Sequence, residues 1–184
     1  MKAGLKFAAA LLLIILLLNT TAYADNAWYF TQIGTGTFAY ENCGPACAVM
    51  AVKWQDPEFD GSVEDARKTY KPNGGGWSVN EIICYLTGND ARGCLKRFPG
   101  EDAIADMLDK AILILLVDTG QLVYKQASGT GHFIIVKAYE VLDEQLYLLI
   151  NDPWQGENIL YTYGDIYDAV QARCILCIRV KSGK

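Results

Sequence analysis

Small apolar residues fill the stretch from Gly44 to Trp54, where Ala46, Cys47, Ala48, Val49, Met50, Ala51 and Val52 follow one another. So much alanine over this length reads as a buried helix in preference to a strand. Pro45 fits its first turn, which has spare N–H groups. From Ser62 to Tyr70 the pattern turns polar and predicts a short helix capped by Ser62 with Asp65 three residues on, ended by Pro72 to Gly76. Ser78 and Glu81 form a capping-box pattern ahead of Ile82, Ile83, Tyr85 and Leu86, predicting a helix that runs to Thr87 and stops at Gly88. Ile104, Met107, Leu108 and Ala111 recur at helical spacing behind Glu101 and Asp102, which predicts a helix from Glu101 to Lys110.

After Ala111 the period changes. Ile112 to Val117, His132 to Tyr139, Gln145 to Ile150, Asn158 to Tyr163 and Cys174 to Val180 are short aliphatic or aromatic runs divided by turn-forming residues, and they predict strands. Trp28 to Tyr40, rich in aromatic residues and threonine and broken by Gly34 and Gly36, reads as an irregular lead-in. Helices first and strands afterwards predict an α+β fold, with N-terminal helices packed on a C-terminal, mainly antiparallel sheet. Without a linker or internal repeat, positions 25–184 read as one domain.

The first 24 residues have a different character. Lys2 and Lys6 precede an unbroken apolar run from Phe7 to Leu18, and Ala22-Tyr23-Ala24 supplies the small residues that a signal peptidase reads. The run has 12 residues, whereas a membrane span needs about 20. A cleaved signal peptide over 1–24 is therefore expected, with export to the periplasm or the medium and no stable membrane anchor after cleavage. Removing Lys2 and Lys6 from the 16 basic side chains leaves 14 against 21 acidic ones, a net charge of −7. That balance argues against nucleic acid as a partner. All six cysteines, Cys43, Cys47, Cys84, Cys94, Cys174 and Cys177, would then meet an oxidising compartment. Cys84 and Cys94, close together across a flexible segment, are the expected disulfide pair.

Three residues are suited to acyl-transfer chemistry. Cys43 opens the small-residue helix, where unpaired N–H groups and the positive end of the helix dipole favour a thiolate. His132, the only histidine, begins an aliphatic strand, and Asp152 closes the next one. Neighbouring strands lie about 5 Å apart, within reach of a carboxylate–imidazole contact. A nucleophile, a base and an orienting group are the minimum set for thiol catalysis. Trp154 and Trp77 are candidates to line the cleft, and Cys47 reads as core or as half of a disulfide.

Asn42-Cys43-Gly44-Pro45-Ala46-Cys47, Gly131-His132-Phe133-Ile134-Ile135-Val136 and Asn151-Asp152-Pro153-Trp154 together resemble the peptidase C39-like group of papain-fold cysteine peptidases, which includes the bacteriocin-processing domains. The resemblance implies a papain-like fold and a thiol peptidase acting on a peptide or protein substrate. In it Cys43 would be the nucleophile, His132 the general base and acid, and Asp152 the orienting group. An upstream glutamine would donate to the oxyanion beside the Cys43 N–H, and Gln32 holds that place. No metal or organic cofactor is implied. Other readings are a papain-fold binding or adaptor module without turnover, an NlpC/P60-like peptidoglycan hydrolase, whose Asp-Cys-Ser-Gly sequence is absent, and a zinc site built from Cys43, Cys47, Cys174 and Cys177.

Overall fold

The computed structural model describes residues 27–122, 130–173 and 176–181. The signal-peptide boundary and Cys174 lie outside these residues.

Helix α1 runs over Cys43–Gln55 and is buried from Gly44 to Val52, as its small residues require of a helix enclosed on every side. Helix α2, Val63–Thr69, starts where the Ser62 hydroxyl accepts the Asp65 N–H. Helix α3, Val79–Gly88, has both halves of its capping box: the Ser78 side chain accepts the Glu81 N–H and the Glu81 carboxylate accepts the Ser78 N–H. The chain leaves α3 through Asn89 and Asp90, and Asp90 at φ 57° takes the left-handed turn expected of Gly88. Helix α4, Glu101–Leu108, stops short of Lys110 because Ala111 is already the first residue of a strand.

Among the described residues six strands form one sheet: β1 Gly93–Arg97, β2 Ala111–Asp118, β3 Gly131–Leu142, β4 Gln145–Asp152, β5 Gly156–Thr162 and β6 Leu176–Lys181. Their order is β1-β6-β2-β3-β4-β5, with every pairing antiparallel. Helix α5, Tyr163–Gln171, connects β5 to β6 and is capped by Thr162, which accepts the Asp165 N–H.

The sheet is covered on both sides. Ile112, Ile114, Phe133, Ile135, Ile178 and Val180 pack on one face against α1 and on Ala66, Ile82, Tyr85 and Leu86 of α2 and α3. Leu113, Leu115, Val117, Ile134, Val136 and Cys177 pack on the other against Ile104 and Leu108 of α4 and Ile166, Ala169 and Val170 of α5. Double coverage explains why β2 and β3 are continuous aliphatic runs with no alternation of polar positions.

The structure departs from the sequence reading at several places. Strand β1 and helix α5 were not expected. Strand β1 has a half-exposed, basic sequence and pairs at the sheet edge only because β6 supplies a register from Gly93↔Val180 to Arg97↔Leu176. Cys84 and Cys94 are not joined, since both are free thiols. Cys84 is exposed on α3, while the face of α3 turned to β1 carries Leu86, which fills the space a Cβ on Gly93 would need. The four-cysteine zinc set also fails on geometry, because Cys47 lies in the core on one side of the sheet and Cys177 in the core on the other.

Candidate active site

Cys43 sits where α1 meets the sheet. Its neighbour Gly44 touches the core so closely that a Cβ there would lie 2.7 Å from Trp77 Cβ and 3.5 Å from the Phe133 ring. A side chain at position 44 would collide with Trp77, whereas its distance to the Phe133 ring is ordinary packing. Asn42 precedes Cys43, yet its side chain does not cap the helix. First-turn N–H groups, which have no carbonyl four residues back, therefore stay available at the sulfur.

His132 and Asp152 meet at one end of the sheet, because β3 begins where its antiparallel neighbour β4 ends. A register shift between Ile150 and Asp152 in the β4–β5 pairing bends the end of β4, the usual means by which a strand re-aims a side chain. His132 Nε2 lies 2.7 Å from Asp152 Oδ1, and both side chains are buried. The same Oδ1 accepts the Trp154 N–H at 2.8 Å and the Gln155 N–H at 3.2 Å. With Nε2 engaged by the carboxylate, Nδ1 is the ring nitrogen left for the bond to Cys43.

The electrostatics follow. Burial alone would raise the Cys43 thiol, but the hydrogen bond and charge of His132, with N–H groups of Phe133 and Gly44 at the sulfur, outweigh burial and lower it. Burial alone would lower His132, but its bonds to Asp152 and Cys43 prevail and raise it to about 9. Burial works against the Asp152 carboxylate too, and the His132 bond with the Trp154 and Gln155 N–H groups lowers it nonetheless. All three shifts run in the direction that favours a thiolate beside an imidazolium held by a carboxylate. Cys47, one helical turn on, is raised well above an ordinary thiol, chiefly by burial.

Gln32, Tyr40, Cys43, Thr119, Thr130, Gly131, His132 and Trp154 line a cleft of about 410 Å³. Gln32 reaches it from the lead-in, which is pinned to the turn after Asp152: Gln32 N and Thr31 Oγ1 donate to Pro153 O at 2.9 and 3.0 Å, and Tyr29 Oη donates to Asp152 O at 3.0 Å. One amide N–H of Gln32 is used by Ala39 O at 2.8 Å, and a second remains. The structure thus brings Cys43, His132, Asp152 and Gln32 to one place. Trp154 does line the cleft, with its ring 5.2 Å from that of Tyr40. Trp77 does not; it is core, packed on Tyr70 and Tyr85 with Nε1–H donating to Tyr70 O.

Arg67, which donates from Nε to Asn42 Oδ1 at 2.6 Å directly before Cys43, was not singled out by the sequence reading. An arginine in a short polar helix carries no local sign of burial. Tyr40 was also missed, being one aromatic residue among several in an irregular segment.

A sheet covered on both faces, with a cysteine-headed helix against its centre and a histidine and aspartate at the ends of adjacent strands, is the papain-like peptidase fold in its C39-like form. Among solved structures the chain is similar to the peptidase domain of Streptococcus ComA, a bi-functional ABC transporter involved in a quorum-sensing pathway. The TM-score is 0.58 at 14% identity, over 78% of this chain and 93% of that domain. No family model and no curated protein matches the sequence.

Proposed function

We propose that the protein is an exported cysteine peptidase that cleaves peptide bonds through a thioester acyl-enzyme. The Cys43 thiolate attacks the peptide carbonyl, and the resulting oxyanion is met by the Cys43 N–H and the second amide N–H of Gln32. Collapse of the tetrahedral intermediate breaks the C–N bond as protonated His132 delivers its Nδ1 proton to the leaving amine. Neutral His132 then takes a proton from water, which attacks the thioester and restores the thiolate and imidazolium. Asp152 acts on Nε2, keeping Nδ1 toward the sulfur and favouring the charged ring. The observation that supports this most is the 2.7 Å His132–Asp152 contact, which commits one ring nitrogen and leaves the other to a cysteine at a helix start.

The test is labelling with a peptidyl electrophile at neutral pH, read by mass spectrometry on the intact chain and on Cys43→Ala and His132→Ala. Selective modification of Cys43 that falls by about tenfold or more without His132, whose hydrogen bond and charge lower the thiol against burial, is the expected result. Equal labelling of exposed Cys84, or no dependence on His132, would sink the proposal. Release of muropeptides from cell wall without peptide cleavage would move the substrate to peptidoglycan. Export is checked separately: the secreted or periplasmic form should begin at Asp25, and protein retaining Met1 would contradict it.

A further inference from the structure

Arg67 is a buried cation with no acidic partner in contact among the described residues. It is 5% exposed, and its guanidinium meets only neutral acceptors. Nε donates to Asn42 Oδ1 at 2.6 Å, Nη2 to Glu41 O at 2.7 Å, and Nη1 to Gly75 O at 2.8 Å and Lys71 O at 3.3 Å. Among the described residues no carboxylate lies within ion-pair distance of it. A buried charge is ordinarily paired, because desolvation penalises it heavily otherwise. Cross-linking carbonyl groups does not by itself require a charged group. The side chain is nevertheless fixed against the two residues immediately before Cys43.

We infer that Arg67 is a positioning residue for Cys43: its permanent charge favours the thiolate, and its hydrogen bonds hold the turn that aims both Cys43 and Gln32. The inference rests on the peptidase reading. The mechanical connection can be followed bond by bond. Asn42, gripped by Arg67, donates through Nδ2 to Thr35 Oγ1 at 2.8 Å and Thr35 O at 3.2 Å, and Thr35 Oγ1 donates to Gln32 O at 2.6 Å. One buried guanidinium is thereby tied to the nucleophile's helix start and to the oxyanion candidate.

The charged and titratable groups around the sulfur leave room for this role. Strand β3 supplies His132, β4 supplies Asp152, α1 supplies Cys47, the turn before α1 supplies Tyr40 and Glu41, and α2 supplies Arg67. Farther off, Glu81 of α3 is engaged by Lys71 at 3.0 Å, and the Glu41 carboxylate accepts the Gly75 N–H at 2.5 Å. His132 is therefore the titrating cation of the site and Arg67 the permanent one. Burial lowers Arg67, with Glu41, then Cys43, then Glu81 acting in opposition. Against burial, the groups that lower Cys43 itself are His132 and the Phe133 and Gly44 N–H groups. The geometry of the Asn42 and Glu41 contacts is therefore what ties Arg67 to the nucleophile.

The test is the rate of Cys43 carboxamidomethylation against pH in the full chain, with folding followed by circular dichroism. In Arg67→Gln the midpoint of the thiolate limb should rise by about one pH unit, so that labelling at a fixed pH below it slows about tenfold. In Arg67→Lys, which keeps the charge and loses the fork, the midpoint should stay near that of the wild type while kcat for peptide cleavage falls. A purely structural arginine predicts a lower Tm and an unmoved midpoint in both variants, and that result overturns the inference. A midpoint displaced equally in both assigns the effect to the lost hydrogen bonds and also overturns the role of charge. If R67Q fails to fold, citrulline at the same position, neutral but of the same shape, is read by the same criterion. Absence of preferential Cys43 alkylation in the wild type would overturn the peptidase reading and this inference together, and it is seen before position 67 is altered.

Discussion

Cys43, His132 and Asp152 show how burial and pairing compete at single residues. In each, burial opposes the charged form and the partners outweigh it. Two outcomes follow for pH. If the protein cleaves peptides as proposed, the reaction needs thiolate and imidazolium at once, so its rate should be bell-shaped, with an acid limb below the ordinary thiol range and an alkaline limb near 9. Alkylation of Cys43, which needs no proton donor, should show no alkaline fall, and steady-state kinetics beside alkylation rates would separate the two. The second outcome concerns stability. Asp152 has a folded pKa below its ordinary 3.8, so its contribution is present above pH 3.8 and lost as pH falls through the lowered value. Asp152→Asn should therefore lower Tm at pH 7 and show little penalty in the acid range below that value, as calorimetry across pH would detect. The three residues stood out in the sequence because their types and order suit thiol catalysis. Arg67 did not, since only tertiary contacts turn an arginine of a polar helix inward.

At the scale of elements, the helices whose ends carry side-chain chemistry were the readable ones. Ser62 with Asp65 and Ser78 with Glu81 satisfy orphan N–H groups locally, so α2 and α3 begin where the sequence marks them. Helix α5 has the same kind of signal in Thr162 and Asp165, masked by the apolar run Ile159-Leu160-Tyr161 of β5 directly before it. Strand β1 had no signal of its own to read, since its pairing partner lies about 80 residues downstream. For α1 the decisive feature is Gly44, the point of closest approach to Trp77. Gly44→Ala should destabilise the protein by about 1–3 kcal/mol through overpacking. It should also reduce peptide cleavage more than Tm alone would suggest, because relief of the collision with Trp77 shifts the helix start that carries Cys43. Denaturant unfolding alongside kcat/KM tests both parts.

Across the whole molecule, the sheet separates two cores, and the cysteines sort by which part they occupy. Cys47 and Cys177 are buried on opposite faces, Cys94 is half-buried, and Cys84 is exposed. Native thiol titration, with modified positions found by mass spectrometry, should therefore label Cys84 rapidly and Cys47 and Cys177 only after denaturation. Rapid labelling of Cys47 would mean that α1 is not enclosed as described. The sequence alone determined the α+β class, the start of most helices, the strand-forming half of the chain and the residue types suited to thiol chemistry, because caps, periodicity and side-chain chemistry act within a few residues. The tertiary structure alone decided that helices cover both faces of the sheet, that Gly93–Arg97 joins it, that Cys84 and Cys94 stay apart, that Trp77 is core while Trp154 lines the cleft, and that Arg67 turns inward against Glu41 and Asn42. These depend on register and packing between segments far apart in the chain, and no local stretch of sequence encodes them.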